Sequence, residues 1–167
     1  MISKKVILTG SFGVGKTSLF NRFIYQQFSD KYMTTIGVKV NKKNILVDDK
    51  EVSMLLWDIA GEVSQDKVPA SYFLGASGIV YVADLSRPST FINLETDIAF
   101  LRKLLPDCSI IIVANKRDLV TEEQLNEIYQ NVKQKWDFET SAKTGENVEA
   151  MFTELAKKLI ANHWDAK

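Results

Sequence analysis

The chain has 167 residues, 46% apolar and 25% charged, which is typical of a soluble globular protein and predicts one domain over residues 1–167. Basic and acidic residues number 21 each, so the formal net charge is zero and the pI is near 6.6. This balance argues against a nucleic-acid-binding protein that depends on bulk positive charge. Cys108 is the single cysteine and cannot form an intrachain disulfide, so the expected compartment is a reducing cytoplasm.

Membrane and targeting signals are scarce in the sequence. The longest apolar runs, such as Ile110 to Ala114, are far shorter than the roughly 18 residues that a spanning helix needs. The N-terminus shows no signal-peptide pattern. No cysteine lies near the C-terminus, and no glycine follows Met1, so no encoded lipid anchor is expected.

Short β-branched runs predict six strands in chain order. They are Lys4 to Thr9, Val38 to Val47, Val52 to Trp57, Gly78 to Asp84, Ser109 to Ala114 and Asp137 to Thr140. The fourth and fifth runs are apolar almost throughout, as in strands that are covered on both faces of a parallel sheet. The stretches Lys39 to Val47 and Lys50 to Leu56 are joined only by Asp48 and Asp49, which predicts an antiparallel hairpin at one edge.

Segments with apolar residues three and four positions apart predict helices between these strands. One helix follows Gly15 and another follows Pro88. A third begins at Thr121 and continues to about Lys133; the spacing of Thr121 and Gln124 is a capping-box signature. A last helix begins near Val148. The alternation predicts an α/β fold: a doubly wound, mostly parallel six-stranded sheet with one antiparallel edge strand and helices on both faces.

The first predicted strand ends in the sequence GSFGVGKT, which covers Gly10 to Thr17. It matches the phosphate-binding pattern G-x-x-x-x-G-K-[ST] in the required position between a strand and a helix. Glycines allow successive backbone N–H groups to point inward at phosphate oxygens, and the following helix adds the positive end of its dipole. Lys16 would reach the β and γ phosphates, and the Thr17 hydroxyl would bind Mg²⁺. A glycine-rich turn that only caps a helix is the alternative.

A second motif, Asn115-Lys116-Arg117-Asp118, follows the buried fifth strand, where a doubly wound sheet presents ligands. The Asp118 carboxylate can accept hydrogen bonds from both N1–H and the exocyclic NH₂ of guanine. Adenine has no donor at N1, so adenine would leave buried polar groups unmatched. The Lys116 stem could lie along the base. A solvated turn is the alternative interpretation of these four residues taken alone.

With these two motifs and three further ones, the chain resembles the Ras superfamily of small GTPases from Lys4 to about Ile160. These motifs are Thr34 to Val38 (TTIGV), Trp57 to Gly61 (WDIAG) and Ser141 to Lys143 (SAK). The stretches TIGV, LWDIAG and SYFLGA are most similar to the Rab branch. The resemblance implies a switch that binds GTP or GDP with Mg²⁺, hydrolyses GTP, and orders two loops around the γ-phosphate.

The resemblance also implies a role for each matching residue. Thr17 and Thr35 would be direct Mg²⁺ ligands, Asp58 would hold the ion through a water, and the Gly61 N–H would contact the γ-phosphate. The Ala142 N–H would bond guanine O6 and Phe28 would pack against the base, although a core aromatic is the alternative for Phe28. The expected nucleotide-binding residues are Gly13, Val14, Gly15, Lys16, Thr17, Ser18, Phe28, Tyr32, Thr35, Gly61, Asn115, Lys116, Asp118, Ser141, Ala142 and Lys143.

Two departures from the family pattern concern catalysis, for which Lys16, Thr35, Gly61 and the residue after Gly61 are the expected groups. That residue is usually glutamine, which orients the attacking water, but here it is Glu62. A carboxylate lacks the NH₂ donor and would lie near a negative γ-phosphate. Phe12 replaces a small residue and would crowd the space for a catalytic side chain or an arginine finger. We expect slow hydrolysis; the alternative is a remodelled loop from which both side chains point away.

Two rival functions remain open from the sequence. The first is a GTP- or GDP-binding interaction module with little or no hydrolysis, which Phe12 and Glu62 favour. The second is an ATP-dependent kinase, but no arginine-rich lid is visible and the NKRD motif opposes it.

Protein effectors and regulators are expected to bind through Thr34 to Val40, Trp57 and Gly61 to Tyr72. Core packing is an equal alternative for Val40, Trp57 and Tyr72, and Lys39 stands where the Rab branch usually has an acidic residue. The expected state is a monomer, with a regulator-bound dimer as the alternative.

Overall fold

The structure, a computed structural model, describes residues 1–31, 34–62 and 64–165. Within these ranges six strands occur: β1 (Ile2–Gly10), β2 (Val38–Val47), β3 (Lys50–Ile59), β4 (Ala76–Asp84), β5 (Ser109–Asn115) and β6 (Phe138–Glu139). They form one sheet in the order β2-β3-β1-β4-β5-β6. Only the β2–β3 pair is antiparallel among the strand pairs of the described chain, which confirms the predicted sheet.

The helices are α1 (Lys16–Tyr25), α2 (Ala70–Phe73), α3 (Leu94–Leu104), α4 (Glu122–Asn131) and α5 (Val148–Asp165). The capping box that begins α4 is present: Gln124 N donates to Thr121 Oγ1 at 3.2 Å, and Thr121 N donates to Gln124 Oε1 at 2.9 Å. This helix ends earlier than the predicted Lys133, because Val132 has an extended conformation. None of the helices described here is long and apolar enough to cross a bilayer.

Each face of the sheet buries its own apolar core. On one face α1 and α5 cover the sheet, and Phe23 of α1 stacks on Phe152 of α5 with ring centroids 3.8 Å apart. On the other face Phe73, Ile98 and Ile128 from α2, α3 and α4 pack against the sheet. The apolar strands β4 and β5 are therefore covered on both sides, as their composition predicts.

A two-residue turn joins β2 to β3. Their register pairs Val38 with Ile59 at one end and Val47 with Lys50 at the other. Asp48 and Asp49 both have positive φ, 49° and 61°, as a type I′ hairpin turn requires. Aspartate tolerates this left-handed conformation better than most residues, which explains why the pair can replace the usual glycine-containing turn.

The parallel strands place four loops at one edge of the sheet. The carboxyl ends of β1, β3, β4 and β5 lie side by side, and the register aligns Asp84 at the end of β4 with Asn115 at the end of β5. In open α/β sheets this edge is where ligands bind. The phosphate-binding loop, Gly10 to Thr17, follows β1 at this edge.

Candidate functional site

A cavity of about 330 Å³ opens at the carboxyl edge of the sheet. It contains most of the predicted nucleotide-binding residues: Gly13, Gly15, Lys16, Thr17, Ser18, Phe28, Thr35, Gly61, Asn115, Lys116, Asp118, Ala142 and Lys143. Val14, Asp58, Glu62 and Ser141 are not among the described residues that line it, and Tyr32 lies outside the described residues. Phe28 lines the cavity and is about one-third exposed, so its side chain does not lie in the core.

A larger groove of about 570 Å³ lies between α3 and α4. Its lining combines aliphatic residues such as Ile92 and Leu119 with scattered polar groups. It does not combine a phosphate-binding loop with convergent polar groups from several strand ends, which is the arrangement that marks a ligand site. The smaller cavity is therefore the candidate functional site.

The phosphate-binding loop is held tightly by its own lysine. Lys16 Nζ donates to Gly10 O at 3.2 Å and to Ser11 O at 2.7 Å. Burial lowers the pKa of Lys16 to about 8, and the nearby Asp58 carboxylate opposes part of that shift. Gly15 has φ of 102°, and a Cβ there would lie 2.3 Å from Asn115 Nδ2. Only glycine therefore allows the loop to pass this close to the end of β5.

The three predicted metal-binding residues converge beside this loop. Thr17 Oγ1 donates to Asp58 Oδ2 at 2.6 Å, and it lies 2.6 Å from Thr35 Oγ1. Burial raises the pKa of Asp58, while the Thr17 hydrogen bond and the Lys16 charge oppose the shift. Asp58 Oδ1 is buried and has no hydrogen-bond partner among the described residues. Hydroxyl and carboxylate oxygens are the ligands that Mg²⁺ prefers, so this donor set and its unpartnered oxygen fit that ion.

The second motif is braced by hydrogen bonds at the far end of the cavity. Ser141 Oγ donates to Asp118 Oδ1 at 2.8 Å, so the buried serine orients the exposed carboxylate. Asn115 Nδ2 donates to Val14 O at 3.1 Å, and Thr140 Oγ1 donates to Asn115 Oδ1 at 3.0 Å. Asn115 therefore ties the phosphate-binding loop to the end of the sheet.

Sequence analysis missed Asp84 and Arg87. Asp84 is fully buried, and its Oδ2 lies 2.9 Å from Lys116 Nζ and 3.0 Å from Arg87 Nε. Burial alone would raise the pKa of Asp84, but hydrogen bonds from Ser86, Lys116 and Arg87 lower it below its ordinary value. Arg87 Nη2 also donates to Phe12 O at 2.6 Å, and Lys116 Nζ donates to Gly13 O at 2.9 Å. The position of Asp84 at the end of a central strand was the available signal.

Gly61 and Glu62, two of the residues expected to act in catalysis, follow β3 and lie against the loop that follows β1. Gly61 is seated directly on the phosphate-binding loop, since a Cβ there would lie 2.5 Å from Phe12 Cα and 2.6 Å from Phe12 N. Glu62 N donates to Gly10 O at 3.3 Å, which fixes the backbone at this position. Phe12 lines the cavity with half of its surface exposed. Phe12 therefore forms part of the cavity wall at the phosphate-binding loop.

The expected partner surface is divided between exposed and half-buried residues. Ile36 and Val40 are exposed. Trp57 and Tyr72 are half-buried and pack against the core on one face of the sheet. Lys5 Nζ of β1 lies 3.7 Å from the centroid of the Trp57 ring, a cation–π contact that holds the indole against the neighbouring strand.

Comparison with known proteins agrees with this geometry. The Ras family model matches residues 5–161. The chain is 34% identical to the Ras-related protein RABA1c of Arabidopsis thaliana over 160 residues, which cover 93% of this chain and 74% of that protein. It is 36% identical to RABA1h of the same plant over 161 residues, which cover 93% of this chain and 73% of that protein. It is 30% identical to Rab-7b of Paramecium octaurelia, and the match covers 96% of this chain and 83% of that protein.

The chain therefore belongs to the Ras family of small GTPases, close to the Rab branch. It is a GTP-binding switch with GTPase activity, because GTP binding and hydrolysis are common to this family. Proteins of this family use GTP, GDP and Mg²⁺, and interact with protein effectors and regulators.

Proposed function

We propose that the cavity binds the guanine nucleotide with its phosphates on the loop from Gly10 to Thr17 and its base against Asp118. The observation that carries the proposal is the placement of Lys16, Thr17, Thr35 and Asp118 around one cavity, with Asp58 hydrogen-bonded to Thr17 behind its wall. The backbone N–H groups from Gly13 to Ser18 would hold the phosphate oxygens at the start of α1. Lys16 would neutralise β and γ oxygens. Phe28, Asn115, Lys116, Ser141, Ala142 and Lys143 would complete the site, together with Tyr32.

Base selection rests on the orientation of Asp118. Ser141 holds one carboxylate oxygen. The carboxylate would accept two hydrogen bonds from the guanine edge, and the Ala142 backbone N–H would donate to guanine O6. An adenine would present an acceptor at N1 to the carboxylate, leaving buried groups unpaired. Competition among GTP, ATP and XTP for the stripped protein tests this assignment, and equal affinity for GTP and ATP would contradict it.

Magnesium would be held by Thr17 and Thr35 directly and by Asp58 through a water. The ion would supply positive charge to the β and γ oxygens in the bound state. The protein's own contribution is to fix the donor set: the Thr17 hydroxyl already lies within 2.6 Å of the other two residues. Loss of the γ-phosphate would remove one contact that keeps Thr35 in this cluster, which would release the loop from Thr34 to Gly37 before β2.

Hydrolysis at this site is proposed to be slow. The reaction is in-line attack of water on the γ-phosphorus, with the bond to the β–γ bridging oxygen breaking and GDP leaving. Lys16 and the loop amides would stabilise the developing charge. Glu62 cannot donate from its carboxylate to the attacking water or to the transition state as glutamine does, and the Phe12 ring restricts access for an arginine finger.

The rate assay is single-turnover release of phosphate from bound GTP. Glu62→Gln is expected to raise the rate by up to about 10²-fold, the effect of one transition-state hydrogen-bond donor. Thr17→Asn provides the blank, and Phe12→Gly tests whether an added arginine-finger activator gains access. A lower rate in Glu62→Gln would show that Glu62 itself orients water. The same assay separates this function from a second candidate, a nucleotide-dependent interaction module without hydrolysis, which the Phe12–Glu62 pair favours.

Effectors and regulators are proposed to bind the surface formed by Thr34 to Val40, Trp57 and Gly61 to Tyr72. Exposed Ile36 and Val40 supply apolar contact on this surface. Lys39 precedes Val40 in β2, but its Nζ donates to Asn21 Oδ1 on α1 at 3.2 Å, so its charge lies on the opposite face of the strand from Val40.

A further inference from the structure

A buried polar network connects the loop after β3 to helix α3. It consists of Thr9 on β1, Gln65 in the turn Gln65–Lys67, Tyr81 on β4 and Asp97 on α3. All four are at most 4% exposed. Its members come from four separate elements, and none of them belongs to the nucleotide site described above.

Asp97 is the centre of this network. Its Oδ1 accepts a hydrogen bond from the Gln65 backbone N–H at 3.0 Å, and its Oδ2 accepts one from the Tyr81 hydroxyl at 2.7 Å. The Gln65 side chain is held separately, because Thr9 Oγ1 donates to Gln65 Oε1 at 2.5 Å. Both the backbone and the side chain of Gln65 are therefore fixed to the body of the fold.

This arrangement costs stability. Burial raises the pKa of Asp97, and the Asp66 charge adds to the rise, while the hydrogen bonds from Tyr81 and Gln65 oppose it. Gln65 Nε2 is buried without a hydrogen-bond partner among the described residues. An apolar residue at position 97 would avoid the desolvation of a carboxylate, so packing alone does not account for an aspartate here.

The network fixes one end of a short segment whose other end lies on the phosphate-binding loop. Ala60 N donates to Gly37 O at 3.1 Å, and Glu62 N donates to Gly10 O at 3.3 Å. Three residues further on, the Gln65 N–H is held by Asp97. Gly61 lies between these attachments, against Phe12.

We propose that Asp97 is a positioning residue that, through the Gln65 N–H, keeps Gly61 against the phosphate-binding loop and so favours GTP over GDP. This inference rests on the proposed nucleotide site, in which only the γ-phosphate contacts the Gly61 N–H. Asp97 touches no nucleotide. Its effect is confined to the state that carries a γ-phosphate, because GDP has no atom at that position.

The test measures affinity for fluorescent GTPγS and GDP, from association and dissociation rates with Mg²⁺ present. Asp97→Ala removes the acceptor, and Gln65→Pro removes the donor from the other side. Proline fits there because residue 65 begins the turn and Ser64 is already extended, with φ −144° and ψ 156°. Each variant is expected to lower the GTPγS-to-GDP preference by about tenfold, the scale of one hydrogen bond to a charged acceptor.

Matched variants separate positioning from general damage. Gln65→Ala keeps the backbone N–H and is expected to keep most of the preference, and Asp97→Asn, which retains an acceptor oxygen, should restore part of it. Glu95→Gln, on the exposed side of α3 beside Lys133, is the neutral control. If Asp97→Ala does not fold, Gln65→Pro decides the question alone.

Three results would overturn the proposal. They are an unchanged preference in Gln65→Pro, an equal loss of affinity for both nucleotides, and a loss in Gln65→Ala as large as in Gln65→Pro. Failure of the nucleotide site itself gives a different result: the unaltered protein would then show no preference for guanosine over adenosine nucleotides.

Discussion

Replacing Gly61 by alanine tests the contact between the loop after β3 and the phosphate-binding loop. The added Cβ would lie 2.5 Å from Phe12 Cα, 2.6 Å from Phe12 N and 2.9 Å from Ser11 C, all backbone atoms. Ordinary van der Waals contact begins near 3.4 Å, so the two segments must separate by about 0.9 Å. No side-chain rotation can relieve this overlap.

The phosphate-binding loop is the less movable of the two segments. Lys16 donates to Gly10 O and Ser11 O, and Arg87 donates to Phe12 O. Gly61 is therefore expected to withdraw, which takes its N–H away from the γ-phosphate. Overpacking of this kind costs about 1–3 kcal/mol, equivalent to a loss of about 5- to 150-fold in affinity for GTPγS. Affinity for GDP should stay within about twofold, because GDP lacks the γ-phosphate that the Gly61 N–H contacts.

The assay is paired measurement of GTPγS and GDP affinity for Gly61→Ala. Gly75→Ala is the control, because a Cβ at Gly75 meets nothing within 4 Å and only its φ of 73° opposes the change. The control is expected to lower stability without altering the ratio of the two affinities. An unchanged ratio in Gly61→Ala would refute the assignment of the Gly61 N–H to the γ-phosphate.

Further predictions concern the base, one helix and the thiol. Asp118→Asn should weaken GTP binding and favour xanthosine triphosphate in competition assays, because the new amide NH₂ would face the exocyclic NH₂ of guanine, another donor, whereas xanthine has a carbonyl acceptor at that position; unaltered selectivity would contradict the base assignment. Thr121→Ala should lower the free energy of unfolding by about 1 kcal/mol in urea titrations, and a neutral result would show that the cap is dispensable. Burial raises the pKa of Cys108 to about 12, so about one thiol in 10⁴ is ionised at pH 8. Its reaction with a disulfide reagent should therefore be slow in the folded protein and accelerate on unfolding, and a fast reaction in the folded protein would contradict the shift.

The phosphate-binding loop and the hairpin could be predicted from sequence because their determinants are local. Glycine spacing between a strand and a helix defines the loop, and two adjacent aspartates define the turn. The capping box of α4 is equally local, and it is present in the structure. In each case neighbouring residues along the chain carry the whole signal.

Asp84 and Asp97 could not be assigned in the same way, because their partners come from distant segments. Asp84 meets Lys116 only when β4 and β5 are aligned, and Asp97 meets Tyr81 only when α3 packs on the sheet. Tyr81 lies in a strand that is otherwise almost wholly apolar, so its hydroxyl gave no indication of a polar partner. Pattern reasoning finds the groups that face a ligand more readily than the groups that hold them in place.

The β2–β3 hairpin has a mechanical consequence. Its open end joins the loop before β2 to the loop after β3, since Val38 pairs with Ile59 and Ala60 N donates to Gly37 O. A displacement of either loop would therefore pull on the other through this one backbone hydrogen bond, without involving the bound nucleotide. A single spectroscopic probe on the exposed side of β2 should therefore register events in both loops.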